Sequence, residues 1–324
     1  MQTNLNRREM LAATGGLLAA GLTSTPALAG KTERQRSAAE PFAYCFNTST
    51  VRGQKLGIVE QINLTSTAGY DAIEPWLRDI DQYVKEGGSL KDLRKRIEDA
   101  GLTVESAIGF AQWIVDDDAQ RKAGLEQAKR DMDTLQQIGG IRMAAPPVGA
   151  TKQSDLDLFA AAKRYRALLE LGDQMQVVPQ VEVWGFSESL SRLGESMFVA
   201  IESGHPKACL LPDVYHIYKG GSEFAGLGLL SGSAIQVFHV NDYPADPPRE
   251  TINDAHRVYP GDGVAPLTDI FRMIHQAGFR GVLSLELFNR EYWEQDPLEV
   301  AKTGLRKTRE AVLKAQLDQL PKAE

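Results

Sequence analysis

The sequence predicts an α/β protein, a (β/α)8 TIM barrel in a single domain, and three observations carry that reading. From residue 43 onward, short runs rich in apolar and β-branched residues alternate with longer segments of helical period. Eight strand-like runs can be counted, in a repeat of about thirty to forty residues that accounts for 43–320. No Gly-rich fingerprint follows the first run, as an open doubly wound sheet would more naturally show.

In chain order the expected strands are AYCFNTS (43–49), DAIEPW (71–76), TVESAIG (103–109), IRMAAPP (141–147), QVVPQVEVW (176–184), ACLLPDVY (208–215), IQVFHVNDY (235–243) and VLSLELF (282–288). Between them, SLKDLRKRIEDAG has a Ser cap, apolar residues at helical spacing and a terminal Gly, and DAQRKAGLEQAKRDMDTLQQIGG repeats the formula at greater length. Further amphipathic helices are expected over 155–171, 187–203, 267–277 and 298–320.

The first 29 residues read differently. Arg7 and Arg8 precede an apolar run from Met10 to Leu22, and Ala27-Leu28-Ala29 closes it, the layout of a cleavable signal peptide. NRREML resembles the twin-arginine signal of folded-state export, so the mature protein is expected to start near Gly30 and to be periplasmic or otherwise exported. Residues 30–42 read as a linker before the barrel at 43–320. The apolar run is too short and glycine-rich to span a bilayer, and no second one exists, so stable membrane insertion is not expected. Cys45 and Cys209 lie in apolar runs and read as two buried thiols rather than a disulfide.

A net charge of -7 over 324 residues, with the two signs interspersed, offers no basic stripe for a phosphate backbone, so nucleic acid is a poor candidate partner. In a barrel of this kind the chemistry sits at the carboxyl ends of the strands. The last four strands end with Glu182, Asp213, His239 and Glu286. Crowding three carboxylates and an imidazole into apolar surroundings is costly unless a cation compensates. The pattern therefore predicts one divalent metal ion. An oxygen-rich set with one imidazole suits Mn2+, the preferred candidate here, and also Zn2+, Co2+ or Mg2+.

The residues also resemble a family. FHVNDY, HRVYPGDG, QAGFRG and LSLELFNREYW are similar to the xylose isomerase-like barrels, the sugar isomerase and epimerase group, and within it most to the inosose (2-keto-myo-inositol) isomerase type. The resemblance covers essentially all of 43–316, strongly from 205 onward. In the epimerase branch Glu, Asp, His and Glu of strands five to eight hold the metal, which implies Glu182, Asp213, His239 and Glu286 as ligands. It further implies a small-molecule keto-sugar or keto-inositol substrate and a metal-stabilised enediolate, with Glu182 and Glu286 doubling as acid and base. Endonuclease IV shares the fold but needs several more histidines than the five present.

Around that centre, His216 is expected to hydrogen-bond a substrate oxygen, and Arg257 either to clamp an oxyanion or to pair with Asp242 or Asp254. Glu74 and Trp76 should face the mouth, Trp113 and Tyr292 should wall the substrate, and Asn241 and Asp242 should orient the metal histidine. Two other functions fit the same residues: a dehydratase or lyase acting on a 3-keto sugar or glycoside, and an exported sugar-binding protein without catalysis. Exposed barrel helices leave room for a homo-oligomer.

Overall fold

The computed structural model describes residues 40–320, so the expected signal peptide and nearly all of the linker lie outside the described residues. Eight strands appear where the apolar runs place them: β1 (Ala43–Asn47), β2 (Ala72–Glu74), β3 (Thr103–Val104), β4 (Arg142–Ala145), β5 (Val178–Glu182), β6 (Leu210–Leu211), β7 (Val237–Val240) and β8 (Val282–Leu285). All pairings are parallel. The strands run β3-β2-β1-β8-β7 in one ladder and β4-β5-β6 in another. On one side single bridges, Leu210 to Ile235 and Asp213 to His239, join β6 to β7. On the other, Ala107 N donates to Arg142 O and Ala144 N to Ala107 O, which closes the cylinder.

Both faces of each strand are covered, one by the barrel interior and one by helices, so every residue of β1, β7 and β8 is buried. The helices are α1 (Ile58–Ala68), α2 (Leu77–Lys85), α3 (Leu90–Asp99), α4 (Asp118–Gln137), α5 (Leu158–Met175), α6 (Leu193–Glu202), α7 (Val214–Lys219), α8 (Leu267–Gln276) and α9 (Pro297–Lys314). The sequence pattern did not announce α1, α2 or α7. In α1, IVEQINLTSTA is rich in β-branched and short polar residues of low helix propensity, so packing of Ile58, Ile62 and Leu64 has to hold it. It begins where Glu60 accepts from Gly57 N and ends at Gly69, whose φ of +93 a side chain would strain.

Two expected boundaries move for local reasons. The strand expected over 208–215 stops at Leu211, because Pro212 has no N–H for the ladder, and Asp213 becomes the N-cap of α7, accepting from His216 N. The helix expected from Ser187 starts at Leu193. Ser189 Oγ donates to Ala150 O and Leu190 adopts a φ of +51, which hold 187–192 as a loop. Cys45 and Cys209 are free and buried, and burial pushes the Cys209 thiol up to about 12.

Asp131, on α4, is buried with Gln127 Nε2 at 2.5 Å and, among the described residues, no cation paired to it, and burial pushes its pKa up to about 6. The native state thus holds this proton more tightly than the unfolded chain, so its ionisation costs stability as pH rises from about 4 to 6. Asp131→Asn is expected to stabilise the fold by up to about 2 kcal/mol above pH 6 and to change nothing near pH 3.5. Denaturant midpoints at both pH values check this.

Candidate active site

His239 lies in β7, and its ring points into the mouth of the barrel while Phe238 and Val240 pack on the helix side. Its Nε2 sits 3.0 Å from Glu74 Oε2, at the end of β2. The same oxygen accepts from Ser284 Oγ at 2.6 Å, and from Asn47 Nδ2 at 2.9 Å. Burial pushes Glu74 up, but the charge and hydrogen bond of His239 outweigh it and hold the carboxyl below its ordinary range. Burial disfavours charge on the His239 ring, but the Glu286 and Glu74 carboxylates outweigh it and raise its pKa well above the ordinary imidazole value, so Glu74 holds the N–H at Nε2 while Nδ1 faces the mouth, where a bound cation would displace its proton. Nδ1 lies 3.2 Å from Glu286 Oε2 and 3.8 Å from Asp213 Oδ2 and makes no hydrogen bond.

Asp213 and Glu286 are linked from the opposite side by one buried arginine. Arg257 Nη1 donates to Asp213 Oδ2 and to Glu286 Oε2, both at 2.9 Å, and Nη2 donates to Asp254 Oδ1 at 2.5 Å. Nη2 also lies 3.0 Å from His216 Nε2, while Gly185 N lies 3.2 Å from His216 Nδ1. Both neighbours of the ring are donors, and a neutral imidazole accepts at one nitrogen only. The charged donor wins, so Nε2 accepts from Arg257 and Nδ1 carries the proton. Burial first, then the Arg257 charge, push the His216 pKa down to about 4, so the ring stays neutral at physiological pH. Asn241 completes the frame, accepting from Tyr215 N and donating to Asp213 Oδ2.

The ligand atoms of Asp213, His239 and Glu286 lie within 4.8 Å of one another. Glu182, at the end of β5, falls outside that compact trio, yet it is buried and its Oε2 has no partner. Burial, with Glu286 and Asp213 adding repulsion, pushes its pKa up to about 8. Two carboxylate ligands, an imidazole nitrogen without a hydrogen bond, and a third carboxyl with an unmet oxygen fit a divalent cation. The Glu74–His239 contact is the outer support such a ligand usually has.

Five expectations are corrected or narrowed. Glu74 faces the centre and holds His239, since three donors occupy its Oε2, and only its buried Oε1 is left unmet. His216 gives its one accepting nitrogen, Nε2, to Arg257, and so supports that residue. Arg257 takes the ion pair with Asp254 and spends its remaining donors on Asp213 and Glu286, so it is no free oxyanion clamp. Trp113 is 1% exposed, donates to Pro146 O and packs on Tyr165, which places it in the core and away from any substrate. Asp242 accepts from the N–H groups of Tyr243, Gly261, Gly263 and Ala265, so it orders the following loop and not the histidine. Tyr292 stacks on Tyr259 at 4.2 Å.

The profile of the Xylose isomerase-like TIM barrel family matches residues 62–311, well over half of the chain. The chain belongs to that family. Its relatives in the xylose isomerase-like group include the inosose isomerase of Bacillus velezensis, 26% identical over 274 residues, covering 83% of this chain and 96% of that one. The 3-dehydroshikimate dehydratase of Pseudomonas aeruginosa is 26% identical over 256 residues, which is 76% of this chain but 38% of the relative. Among solved xylose isomerase-like structures, the IolI protein, which has a bound zinc atom, superposes with a TM-score of 0.79 at 22% identity, covering 85% of this chain and 99% of that one.

Several residues of this xylose isomerase-like site escaped the sequence reading. Asn47, at the end of β1, donates to Glu74 and Glu286 and accepts from Trp76 Nε1. It is a polar residue ending an apolar run, so the rule that found the last four strand ends would have found it too. Ser284 and the ring contacts that run from Phe288 through Trp76, Phe110 and Trp184 to Phe186 have no such signal, because they meet only when the barrel closes.

Proposed function

We propose that the chain is a divalent-metal-dependent isomerase or epimerase of a keto-sugar or keto-inositol. The observation that carries this is the buried His239 Nδ1, left without a hydrogen bond and aimed between Asp213 and Glu286, beside a Glu182 with an unmet oxygen. A divalent cation held by Asp213, His239 and Glu286, with Glu182 as fourth donor, would polarise a ketone and acidify the neighbouring C–H. Mn2+ remains the preferred ion, with Zn2+ supported by the solved relative.

The two outer glutamates differ in how they are held. Glu286 accepts from Asn47 on one oxygen and from Arg257 on the other, which favours its ionised form. Glu182 has no cationic partner and is desolvated, which favours a held proton. A pair of carboxyls whose surroundings push them apart in this way is suited to one taking a proton while the other gives one. Proton removal next to the ketone yields an enediolate, and return of the proton at the other carbon or the other face gives the isomer or epimer. The apolar rim of Trp76, Phe110 and Trp184 shields the proton from bulk water.

The likeness to 3-dehydroshikimate dehydratase supports elimination as a second reading, since loss of a β-substituent starts from the same deprotonation. The leader bearing Arg7 and Arg8 supports action outside the cytoplasm. Incubating Mn2+-loaded protein in D2O with keto-inositols, ketohexoses and 3-keto-glycosides tests both readings. Deuterium enters the α-position of at least one ketone and exhaustive chelation stops it. Product mass separates isomerisation from elimination. Exchange in none of them would sink the enzymatic reading, and exchange undiminished after chelation would sink the metal.

A further inference from the structure

The arginine expected to meet an oxyanion, Arg257, is used up inside the site, but a second one stands at the rim with nothing to bind. Arg52 lies on the 3-10 segment Thr48–Gln54 that follows β1, on the mouth side of the barrel. Its guanidinium carbon stacks 3.9 Å from the Trp76 ring centroid and 5.3 Å from that of Phe288. Among the described residues, Nε and Nη2 are buried with no acceptor, and no carboxylate lies within ion-pair distance of the guanidinium. Arg78, which lies 4.5 Å from the same Trp76 ring, is paired to Asp79.

A guanidinium pressed between aromatic faces without a counter-ion loses hydration and regains little of it from the rings. Its position is nonetheless rigidly specified. Thr50 Oγ1 donates to Leu285 O, Gln54 Nε2 to Tyr292 O and Trp293 Nε1 to Ser49 O. A Cβ on Gly53 would meet Trp293 at 2.1 Å, so the backbone beside Arg52 is packed directly against the loop after β8. Asn47 ties the Trp76 indole to Glu286, so the ring under Arg52 is registered to the centre itself. A costly charge held this firmly is a preorganised donor for something absent from the protein.

We infer that Arg52 binds a carboxylate on the substrate, so that the substrate is a polyhydroxylated keto acid and not a neutral sugar or cyclitol. The inference rests on the proposed function, with the ketone at Asp213, His239 and Glu286 and the carboxylate at the rim near Trp76 and Phe288. One planar guanidinium matches a carboxylate through two parallel N–H bonds. A phosphate dianion ordinarily gathers more donors than the single unpaired arginine offered here.

Calorimetry on the zinc-loaded full chain with quinate, a polyhydroxylated ring acid, and myo-inositol, its neutral counterpart, tests the assignment. Quinate is expected to bind at least about tenfold more tightly, as a charge-assisted hydrogen bond would give. R52Q should erase that preference and R52K should restore part of it. Equal or weaker binding of quinate, no binding of it at all, or an equal loss for both ligands in R52Q would overturn the inference. The D2O experiment, with a polyhydroxylated keto acid added to its panel of neutral ketones, is scored separately: exchange without a quinate preference removes Arg52 and leaves the isomerase reading, and a quinate preference without exchange of any ketone, the keto acid included, does the reverse.

Discussion

Glu286→Gln and Glu182→Gln are each expected to slow exchange of the substrate α-proton with solvent by about a hundredfold or more, the usual contribution of a positioned acid or base. The amide keeps the shape of the carboxyl, so circular dichroism should stay native. The two variants should part company in stability. Glu286 accepts from Arg257 and Asn47, and its loss leaves a buried guanidinium short of charge, so Glu286→Gln lowers the melting temperature of the metal-free protein. Glu182 is buried without a counter-ion, and its pKa near 8 means that the native state binds a proton which the unfolded chain releases above about 4.5. Its contribution to stability therefore falls as pH rises between those values. Glu182→Gln should accordingly gain on the wild type with increasing pH in metal-free samples. A variant retaining near-full exchange would remove that glutamate from the chemistry.

Metal analysis should find about one divalent ion per chain, and His239→Ala should carry none, because the imidazole supplies the only nitrogen among the candidate ligands. Glu74→Gln is the more informative change, since Glu74 touches His239 Nε2 and is absent from the trio that would hold the ion. An amide there can present its NH2 to the ring, which would reverse the tautomer and put the proton on Nδ1. We expect metal affinity to fall by about 10- to 100-fold. Unchanged affinity in Glu74→Gln, measured by competition with a chelator of known strength, would show that the Nδ1 geometry does not depend on Glu74.

The barrel could be read in advance because parallel strands covered on both faces give continuous apolar runs. All eight were identifiable even where only two residues form ladder, as in β6. Helices such as α1 were harder to see, because Asn63, Thr65, Ser66 and Thr67 carry no helical preference and the segment is shaped by what packs on it. The strand-end rule brought Asp213, His239 and Glu286 into one place. It could not rank their neighbours. His216 and Arg257 face the centre as expected, but which donor meets which acceptor depends on the loop over 242–263, whose path is fixed by Asp242 and four backbone N–H groups. Trp113 was misplaced because an aromatic residue beside a loop gives the same local signal whether it turns outward or into the core. Glu182 and Glu286 looked equivalent in sequence, and only the positions of Arg257 and Asn47 make them unequal.

The seam between the two ladders gives the centre a mechanical meaning. β6 and β7 share only the single bridges Leu210 to Ile235 and Asp213 to His239, and the second of these joins two of the candidate ligands. Glu182 belongs to the three-stranded ladder and Glu286 follows the last strand of the five-stranded one. An ion gripped by these side chains would therefore act as a clasp across one of the two lines where the cylinder has no continuous ladder. Loading the site and tightening the wall would then be one event, and a ligand that loosened the grip would also slacken the barrel at that line.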